Sequence, residues 1–389
     1  MSKSTFGLSV FSVLLILTFL AGSVQAQDEP PVWEGEMPNI SQFTPRYDED
    51  AFPTAPVILD GGGGQRVAPV SPVNEFVYTK TPKFYFVRDF RADRYEIQIY
   101  DLNGSITLYS FKGAGTCNSG YCYLQPTTPL KNEDYYNGGG FYVWRVKARI
   151  EGAWEPNFTA YVDFVVLSKG FTSTFDSHML KWYPVSGAWA PANGYLKSDG
   201  VANQYASVFY RDWFTNFDYT VVMKRKNNHL NTSALLVGGL PYPTGTGELW
   251  YYGLSFRYTN AGYWSLLKYH YGSITAYVSG ESSSAIKPYD WNKLRIVMNK
   301  PYIDLWINGT YLGWLYSTDF SVGVVGIEMF RSSLPKEPLL VDKVVVKAIT
   351  YPPFAEHDPA MQLGLNPVEL DVDPNLLPFI PDESPTGTR

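Results

Sequence analysis

The stretch WNKLRIVMNKPYIDLWINGTYLGWLY, residues 291–316, decides the fold of this chain of 389 residues. It reads as three short strands, and the dipeptide Asn308-Gly309 separates the second strand from the third. Asn-Gly between two alternating apolar runs is the strongest short-range signal for a β-hairpin, because a type I′ turn needs positive φ at both central residues. The stretch therefore predicts a hairpin closed by a two-residue loop.

This loop predicts which residues lie opposite each other. Trp306 is expected opposite Tyr311, and Ile303 opposite Trp314. Because side chains alternate between faces with period two, one face is apolar and predicted to be core: Ile303, Leu305, Ile307, Leu312 and Trp314. The other face is an aromatic row with one acid: Tyr302, Asp304, Trp306 and Tyr311. An apolar inner face beneath an aromatic outer face indicates a binding platform.

The composition favours an all-β protein. Aromatic residues make up 16% of the chain, with 33 glycines and 28 prolines, which is typical of strands joined by many turns. The length allows two or three domains. The net charge of -6 supplies no basic stripe, and this argues against nucleic acid as a partner.

Residues 1–26 have the layout of a secretory signal. Lys3 precedes the apolar run Leu8–Leu20, and Val24-Gln25-Ala26 is a small-x-small cleavage site. The alternative is a membrane anchor, but the run falls short of the ~20 apolar residues that span a bilayer. We therefore expect cleavage near Ala26, no membrane span in the mature chain, and a secreted or cell-surface protein.

Two segments lack the periodicity of strands. Residues 27–66 are rich in proline and acid and end in GGGG, which predicts a flexible linker. Residues 349–389 are again rich in proline and acid, which predicts a disordered tail.

The chain contains two cysteines, Cys117 and Cys122, in the segment CNSGYC. In an oxidising compartment this spacing predicts a short disulfide loop. The alternatives are two separate thiols, or a metal site that would need further ligands nearby.

Residues 67–167 contain short alternating strands with turn residues between them. The segments SPVNEFVYTKTPKFYF, YEIQIYD and LKNEDYYNGGGFYVWRVKA resemble bacterial fibronectin type III-like domains. The resemblance implies an Ig-like β-sandwich that acts as a spacer or contact surface, without chemistry of its own.

Residues 171–348 form a second all-β unit. The segments FTSTFDSHMLKWYPVSGAWAPANGYLKSDG, residues 291–316 and FSVGVVGIEMF resemble concanavalin A-like, laminin-G-like jelly rolls of exported bacterial proteins. The closing strand LLVDKVVVKA is expected to return beside the first strand. Such jelly rolls include lectins, glycosidases, adhesion modules and spacers, so the resemblance predicts the fold rather than the function.

A second hairpin is predicted in WYYGLSFRYTNAGYWSLLKYHY, residues 250–271. Pairing Tyr258 with Tyr263 places Arg257 opposite Trp264 on the outer face, suited to cation–π stacking. Flat aromatic rings beside charged groups fit the apolar faces and hydroxyl rims of sugars. The alternative is that these aromatic residues only pack within the sheet.

The sequence shows no pair of carboxylates at the spacing of a glycosidase. Alternate positions on one strand would place two carboxyl groups across a cleft, but the acids of the second unit are isolated. Asp304 and Glu328 are the two that lie inside predicted strands. If the first and last strands pair, Asp176 and Asp342 are expected to approach each other and hold a structural Ca²⁺; otherwise they are a turn cap and a solvent-facing edge residue.

The predicted function is non-catalytic binding of an extracellular glycan by the jelly roll. The predicted ligand-binding residues are Trp264, Arg257, Trp306, Tyr302, Tyr311 and Asp304. The first alternative is an exported jelly-roll hydrolase of glycosides or keto-sugars. The second is a purely structural or adhesive surface protein.

Overall fold

The computed structural model describes residues 44–45, 67–101, 107–130, 140–226, 231–238, 252–270, 273–319, 323–332, 337–349 and 357–370. The predicted signal segment and most of the predicted linker lie outside these ranges. Among the described residues, no helix is both long and apolar enough to cross a bilayer. The described chain is almost entirely β, with a single 3₁₀ turn at Pro359–Met361, so the predicted fold class is confirmed.

The N-terminal unit is a sandwich of two sheets. Sheet 1 contains β1 (Thr44–Pro45), β3 (Glu75–Val77), β5 (Ala92–Asp101), β6 (Thr107–Gly113), β9 (Phe141–Ile150), β10 (Ala153–Trp154) and β11 (Val162–Val166). Sheet 2 contains β2 (Pro69–Ser71), β4 (Phe84–Val87), β7 (Thr116–Cys117) and β8 (Tyr121–Leu124). Strand β1 lies inside the predicted linker and pairs with β3, so the linker is not free of structure at that point.

Three aromatic rings form the centre of this sandwich. The ring of Phe84 lies 4.9 Å from that of Trp144 and 5.5 Å from that of Phe164, both in edge-on geometry. Cys117 and Cys122 pair across the β7–β8 hairpin with an S–S distance of 2.01 Å, which confirms the predicted disulfide. The resemblance of this unit to fibronectin type III modules stays a prediction.

The C-terminal unit is a jelly-roll sandwich of two eight-stranded sheets. Sheet 3 contains β12 (Gly170–Ser173), β14 (Ala190–Ala192), β15 (Tyr195–Ser198), β17 (Phe217–Arg225), β22 (Asn292–Asn299), β23 (Tyr302–Ile307), β24 (Thr310–Tyr316) and β26 (Leu339–Ala348). Sheet 4 contains β13 (Trp182–Ser186), β16 (Gln204–Phe214), β18 (Thr232–Gly238), β19 (Tyr252–Thr259), β20 (Tyr263–His270), β21 (Ser273–Ser282), β25 (Gly323–Arg331) and β27 (Val368–Leu370). The first strand, β12, pairs with the last strand of sheet 3, β26, as predicted.

The Asn308-Gly309 hairpin follows its predicted register only near the turn. Trp306 pairs with Tyr311, but a bulge follows, and Asp304 then pairs with Trp314. The prediction that Trp314 belongs to the inner face with Ile303 is therefore wrong. Trp314 lies on the outer face, on the same side as Asp304.

Residues 357–370 fold back onto the jelly roll, so the prediction of a wholly disordered tail is wrong there. The indole Nε1 of Trp314 donates to the carbonyl of Asp358 at 2.8 Å, and the amide of Leu363 donates to the carbonyl of Trp314 at 2.7 Å. Further along, β27 pairs with β21 at the edge of sheet 4. The returning segment thus links the edges of sheets 3 and 4.

The two units share an apolar cluster. Trp213, Leu236 and Val324 from the jelly roll pack with residues of the N-terminal sandwich: Phe76, Tyr78, Tyr100, Val143, Val165 and Leu167. Leu236 and Val324 belong to strands β18 and β25 of sheet 4. The N-terminal unit therefore covers part of the outer face of sheet 4, whereas residues 357–363 cover one end of the outer face of sheet 3.

Candidate functional site

A straight row of side chains crosses the outer face of sheet 3. Direct cross-strand pairs connect neighbouring members across five strands. In order across the sheet, the row is Val345, Thr220, Arg295, Trp306 and Tyr311. With strands roughly 4.8 Å apart, the row spans about 19 Å. We call it the open row.

Arg295 joins the polar and aromatic halves of the open row. Its Nε and Nη2 donate to Oδ1 and Oδ2 of Asp218 at 2.9 and 2.8 Å, a two-point ion pair. Its guanidinium lies 4.5 Å from the centre of the Trp306 ring. The hydrogen bonds with Asp218 raise the pKa of Arg295, so the guanidinium keeps its charge and position.

Trp306 and Tyr311 form the aromatic end. Both are half-buried, and their ring centres lie 5.2 Å apart in a tilted arrangement. The hydroxyl of Tyr311 donates to Oδ1 of Asp304 at 2.7 Å. Burial, followed by this hydrogen bond, raises the pKa of Tyr311. The two rings thus pack against each other, and a partly buried hydrogen bond also holds Tyr311, while part of their surface stays open.

At its other end the open row enters a shallow depression of about 320 Å³. The depression is lined by Asp218, Thr220, Lys293, Arg295, Val345 and Lys347. Thr220 and Val345 are the small side chains of the row at this point. The depression combines a floor of short side chains with charged walls, which suits a hydroxyl-rich ligand.

Two predicted ligand residues, Tyr302 and Asp304, lie on this face but are covered by the returning segment. The ring of His357 stacks on that of Tyr302 with centres 4.3 Å apart. Its Nε2 lies 3.1 Å from Oδ1 of Asp304. These two residues hold His357 in place, and the predicted aromatic surface is reduced to Trp306 and Tyr311.

The prediction that Trp264 and Arg257 share an exposed face is wrong. Strand β19 pairs Tyr258 with Trp264 instead of with Tyr263, and this one-residue offset exchanges the faces. Trp264 is 5% exposed and packs in the core, its ring 5.9 Å from that of Phe256. Arg257 lies on the opposite face and is also buried.

Arg257 belongs to a second cross-strand row, on the outer face of sheet 4. Direct pairs connect Ser207, Glu328, Ala234, Arg257 and Ser265, and all five are buried. We call it the buried row. Ala234 separates the carboxylate of Glu328 from the guanidinium of Arg257.

The buried row contains one acid, Glu328. Burial raises its pKa to about 7, although the charge of Arg257 and a hydrogen bond from Tyr269 lower it. Its Oε1 has no hydrogen-bond partner within the described residues. Arg257 Nη1 is directed elsewhere and donates to the hydroxyl of Tyr205 at 3.3 Å.

The two acids of the predicted calcium site lie in exposed positions. Oδ2 of Asp176 accepts a hydrogen bond from Thr174 at 2.8 Å, and Asp342 lies at a bulge of β26. Within the described ranges, no group of three or more carboxylate, histidine or cysteine side chains gathers at any point. The calcium site stays a prediction.

Sequence reasoning missed Arg295, Thr220 and Asp218. The sequence does contain a signal for Arg295. A tight turn at Lys300-Pro301 places Arg295 opposite Trp306, on the face predicted to bind a ligand. Thr220 and Asp218 come from a strand that is more than seventy residues away in the chain. No local pattern could place that strand beside β22.

Part of the jelly-roll unit matches a known protein family. Residues 170–313, less than half of the chain, match the family described as "3-keto-alpha-glucoside-1,2-lyase-like domain". No curated protein is similar enough to the chain to count as a relative.

Solved structures with a similar arrangement of strands include two proteins from Bacillus species. The carbohydrate-binding module CBM66 from Bacillus subtilis is 12% identical, with a TM-score of 0.36, and covers 44% of this chain and 98% of its own. The β-glucanase of Bacillus licheniformis is 10% identical, with a TM-score of 0.38, and covers 47% of this chain and 99% of its own.

A third is a prokaryotic lichenase derived from a mouse hindgut metagenome. It is 14% identical, with a TM-score of 0.36, and covers 46% of this chain and 100% of its own.

Proposed function

We propose that the protein binds a carbohydrate along the open row, without changing it chemically. The observation that carries this proposal is the continuity of the row, in which two fixed aromatic rings lead through Arg295 into a polar depression. Sugar rings offer apolar C–H faces for aromatic stacking and hydroxyls for polar groups. The row provides both kinds of contact on one accessible surface.

The length of the row favours an oligosaccharide over a single sugar. Its members lie on five adjacent strands, so the contact surface extends for about 19 Å. The match to a family described by a glucoside-lyase-like activity supports a saccharide as the ligand class. The half-exposed ion pair of Arg295 and Asp218 offers donors and acceptors to sugar hydroxyls along this path.

A binding assay on a glycan array, with a matched tryptophan variant, tests the proposal. Trp306→Ala removes the aromatic end of the row. Trp291→Ala is the control, because Trp291 is also half-buried and lies near a cation, Lys224, but it directly precedes β22 and is outside the row. We expect Trp306→Ala to weaken binding roughly tenfold or more.

In the same assay we expect Trp291→Ala to bind as the wild type does. Unchanged binding by a folded Trp306→Ala protein would overturn the proposal. Equal losses in both variants would also count against it, since they would indicate a general effect on the sheet.

We also propose that the protein acts outside the cytoplasm. The apolar N-terminal run with its cleavage motif and the Cys117–Cys122 disulfide support this location. Mass analysis of the protein recovered from the medium or cell surface should show a chain beginning near Gln27. Recovery of the uncut chain from the cytoplasm would contradict this.

A second candidate function, lyase activity, is favoured by Glu328. Removal of a proton beside a carbonyl needs a base with a pKa near neutrality, and burial gives Glu328 a pKa of about 7. In such a reaction Glu328 would take the proton from the carbon between the carbonyl and C1. A C=C bond would form as the bond from C1 to the aglycone oxygen breaks, and the aglycone would leave with that electron pair and take up a proton from water. Arg257 would stabilise negative charge on the carbonyl oxygen. The buried position of this row makes it the weaker of the two candidates.

Incubation with a 3-keto-glucoside distinguishes the two functions. A catalyst would release the aglycone in a time-dependent way, and Glu328→Gln would abolish the release. A binding protein would leave the compound intact while retaining Trp306-dependent binding to the array.

A further inference from the structure

The depression at the end of the open row carries an excess of positive charge. Three of its six lining residues are cationic, and one is acidic. The acid, Asp218, is already engaged by Arg295. Lys293 and Lys347 are exposed and form no ion pair within the described chain. Once Arg295 and Asp218 are counted as a pair, two positive charges remain in excess beside the row.

The two lysines lie on opposite sides of the row, at opposite corners of the depression. Lys293 lies two residues from Arg295 on β22, and Lys347 lies two residues from Val345 on β26. Between them lies Thr220, the short central residue of the depression. Their long, flexible side chains can extend toward a ligand above Thr220 from both sides. A ligand in this position would meet two cationic groups at once.

The positive charge is a local feature. The whole chain has a formal net charge of -6, so its average surface repels anions. Arg295 and Asp218 cancel each other, which leaves the charges of Lys293 and Lys347 in excess. A concave surface with one sign of charge concentrates ligands of the opposite sign.

We infer that the depression selects a sugar residue that carries a negative charge, a carboxylate or a sulfate, within the bound oligosaccharide. This inference rests on the proposed carbohydrate binding, to which it adds the class of sugar. The aromatic end would stack on a sugar ring of any charge, whereas the ammonium groups would form ion pairs only with the acidic substituent. Affinity and selectivity are thus assigned to different ends of one row.

The test compares tetragalacturonate with its fully methyl-esterified form, which has the same backbone without the charges. Titration calorimetry with the full chain should show at least tenfold tighter binding of the acid. Lys293→Gln/Lys347→Gln should reduce its affinity to that of the ester. The control double variant, Lys197→Gln/Lys287→Gln, removes the same charge at two lysines that do not line the depression and should keep the preference.

Equal affinity for acid and ester would overturn the preference for a carboxylate, and a parallel titration with a sulfated carrageenan tetrasaccharide identifies the sulfate case. Equal affinity for all three compounds, with binding still lost in Trp306→Ala, would overturn the inference and leave the proposed function standing. Binding that Trp306→Ala does not weaken would instead overturn the proposed function. Added salt should weaken binding of the acid and leave binding of the ester unchanged, since only the former depends on exposed charges.

Discussion

The open row and the buried row have the same construction, but they differ in exposure to solvent and in the surroundings of their arginine. Each crosses the outer face of one jelly-roll sheet through direct cross-strand pairs, and each contains an arginine near its middle. In the open row, Arg295 forms a two-point ion pair with Asp218 and leaves part of its surface accessible. In the buried row, Arg257 and Glu328 lie on either side of Ala234, removed from water.

The two sheets also differ in what lies on top of them. Trp213, Leu236 and Val324 pack against the N-terminal sandwich and close off part of sheet 4. Burial then changes the chemistry, because the carboxylate of Glu328 loses solvation that a paired, half-exposed Asp218 retains. Sheet 3 thus keeps an accessible row of aromatic and charged side chains, whereas sheet 4 holds an acid whose protonation changes near neutral pH.

The largest expected effect is a difference in stability between variants of two tryptophans, one on each sheet. Trp213 is fully buried in the cluster between the units, whereas Trp306 is half-buried on the open row. Trp213→Ala should destabilise the protein by about 3–5 kcal/mol, the usual effect of removing a buried aromatic side chain. Trp306→Ala should change the free energy of unfolding much less.

Urea denaturation followed by circular dichroism measures both variants. If Trp213→Ala unfolds at the same urea concentration as the wild type, the interface does not stabilise the protein as its burial indicates.

The next largest effect concerns the dependence of stability on pH. The pKa of Glu328 is about 7 in the folded protein, against the ordinary 4.5 of an exposed glutamate. Between these values the folded state holds a proton that the unfolded chain has lost. The free energy of unfolding therefore falls as the pH rises from 4.5 to 7, by roughly 3 kcal/mol in total.

Glu328→Gln should remove this part of the pH dependence, because the amide does not titrate. Urea titrations at pH 4.5, 6 and 7.5 measure it. The control is Glu281→Gln, an exposed glutamate on β21, which should keep the wild-type slope. A wild-type slope in Glu328→Gln would show that Glu328 is not the group responsible.

The two hairpins show most clearly which strand pairs can be predicted from the sequence. Asn308-Gly309 gives a turn with a strong local preference, and the pair Trp306–Tyr311 next to it is as predicted. Gly313 then adopts a φ of 138°, and a Cβ at this position would lie 2.5 Å from the carbonyl oxygen of Met361. The bulge is thus associated with a segment almost fifty residues later, which no local pattern could indicate.

The second hairpin fails for a different reason. Its turn is one residue longer than predicted, so Tyr258 pairs with Trp264 and every later side chain changes face. Thr259–Gly262 has no dipeptide that fixes a turn type as strongly as Asn-Gly does. The fold class and the disulfide could be predicted from local patterns, whereas the composition of both rows depends on strands brought together from distant parts of the chain.

The smallest expected effect is at the covered end of sheet 3. His357 stacks on Tyr302 and binds Asp304, and it precedes the backbone contacts with Trp314. His357→Ala should therefore loosen residues 357–363 at a cost of about 1 kcal/mol, the usual net value of one hydrogen bond. Hydrogen exchange should become faster at the amide of Leu363 and stay unchanged at Trp306, whose strand pairs with β22 and β24. Exchange at Leu363 equal to that of the wild type would show that the backbone contacts hold the segment without His357. Faster exchange would show that His357 helps to hold the returning segment over Tyr302 and Asp304.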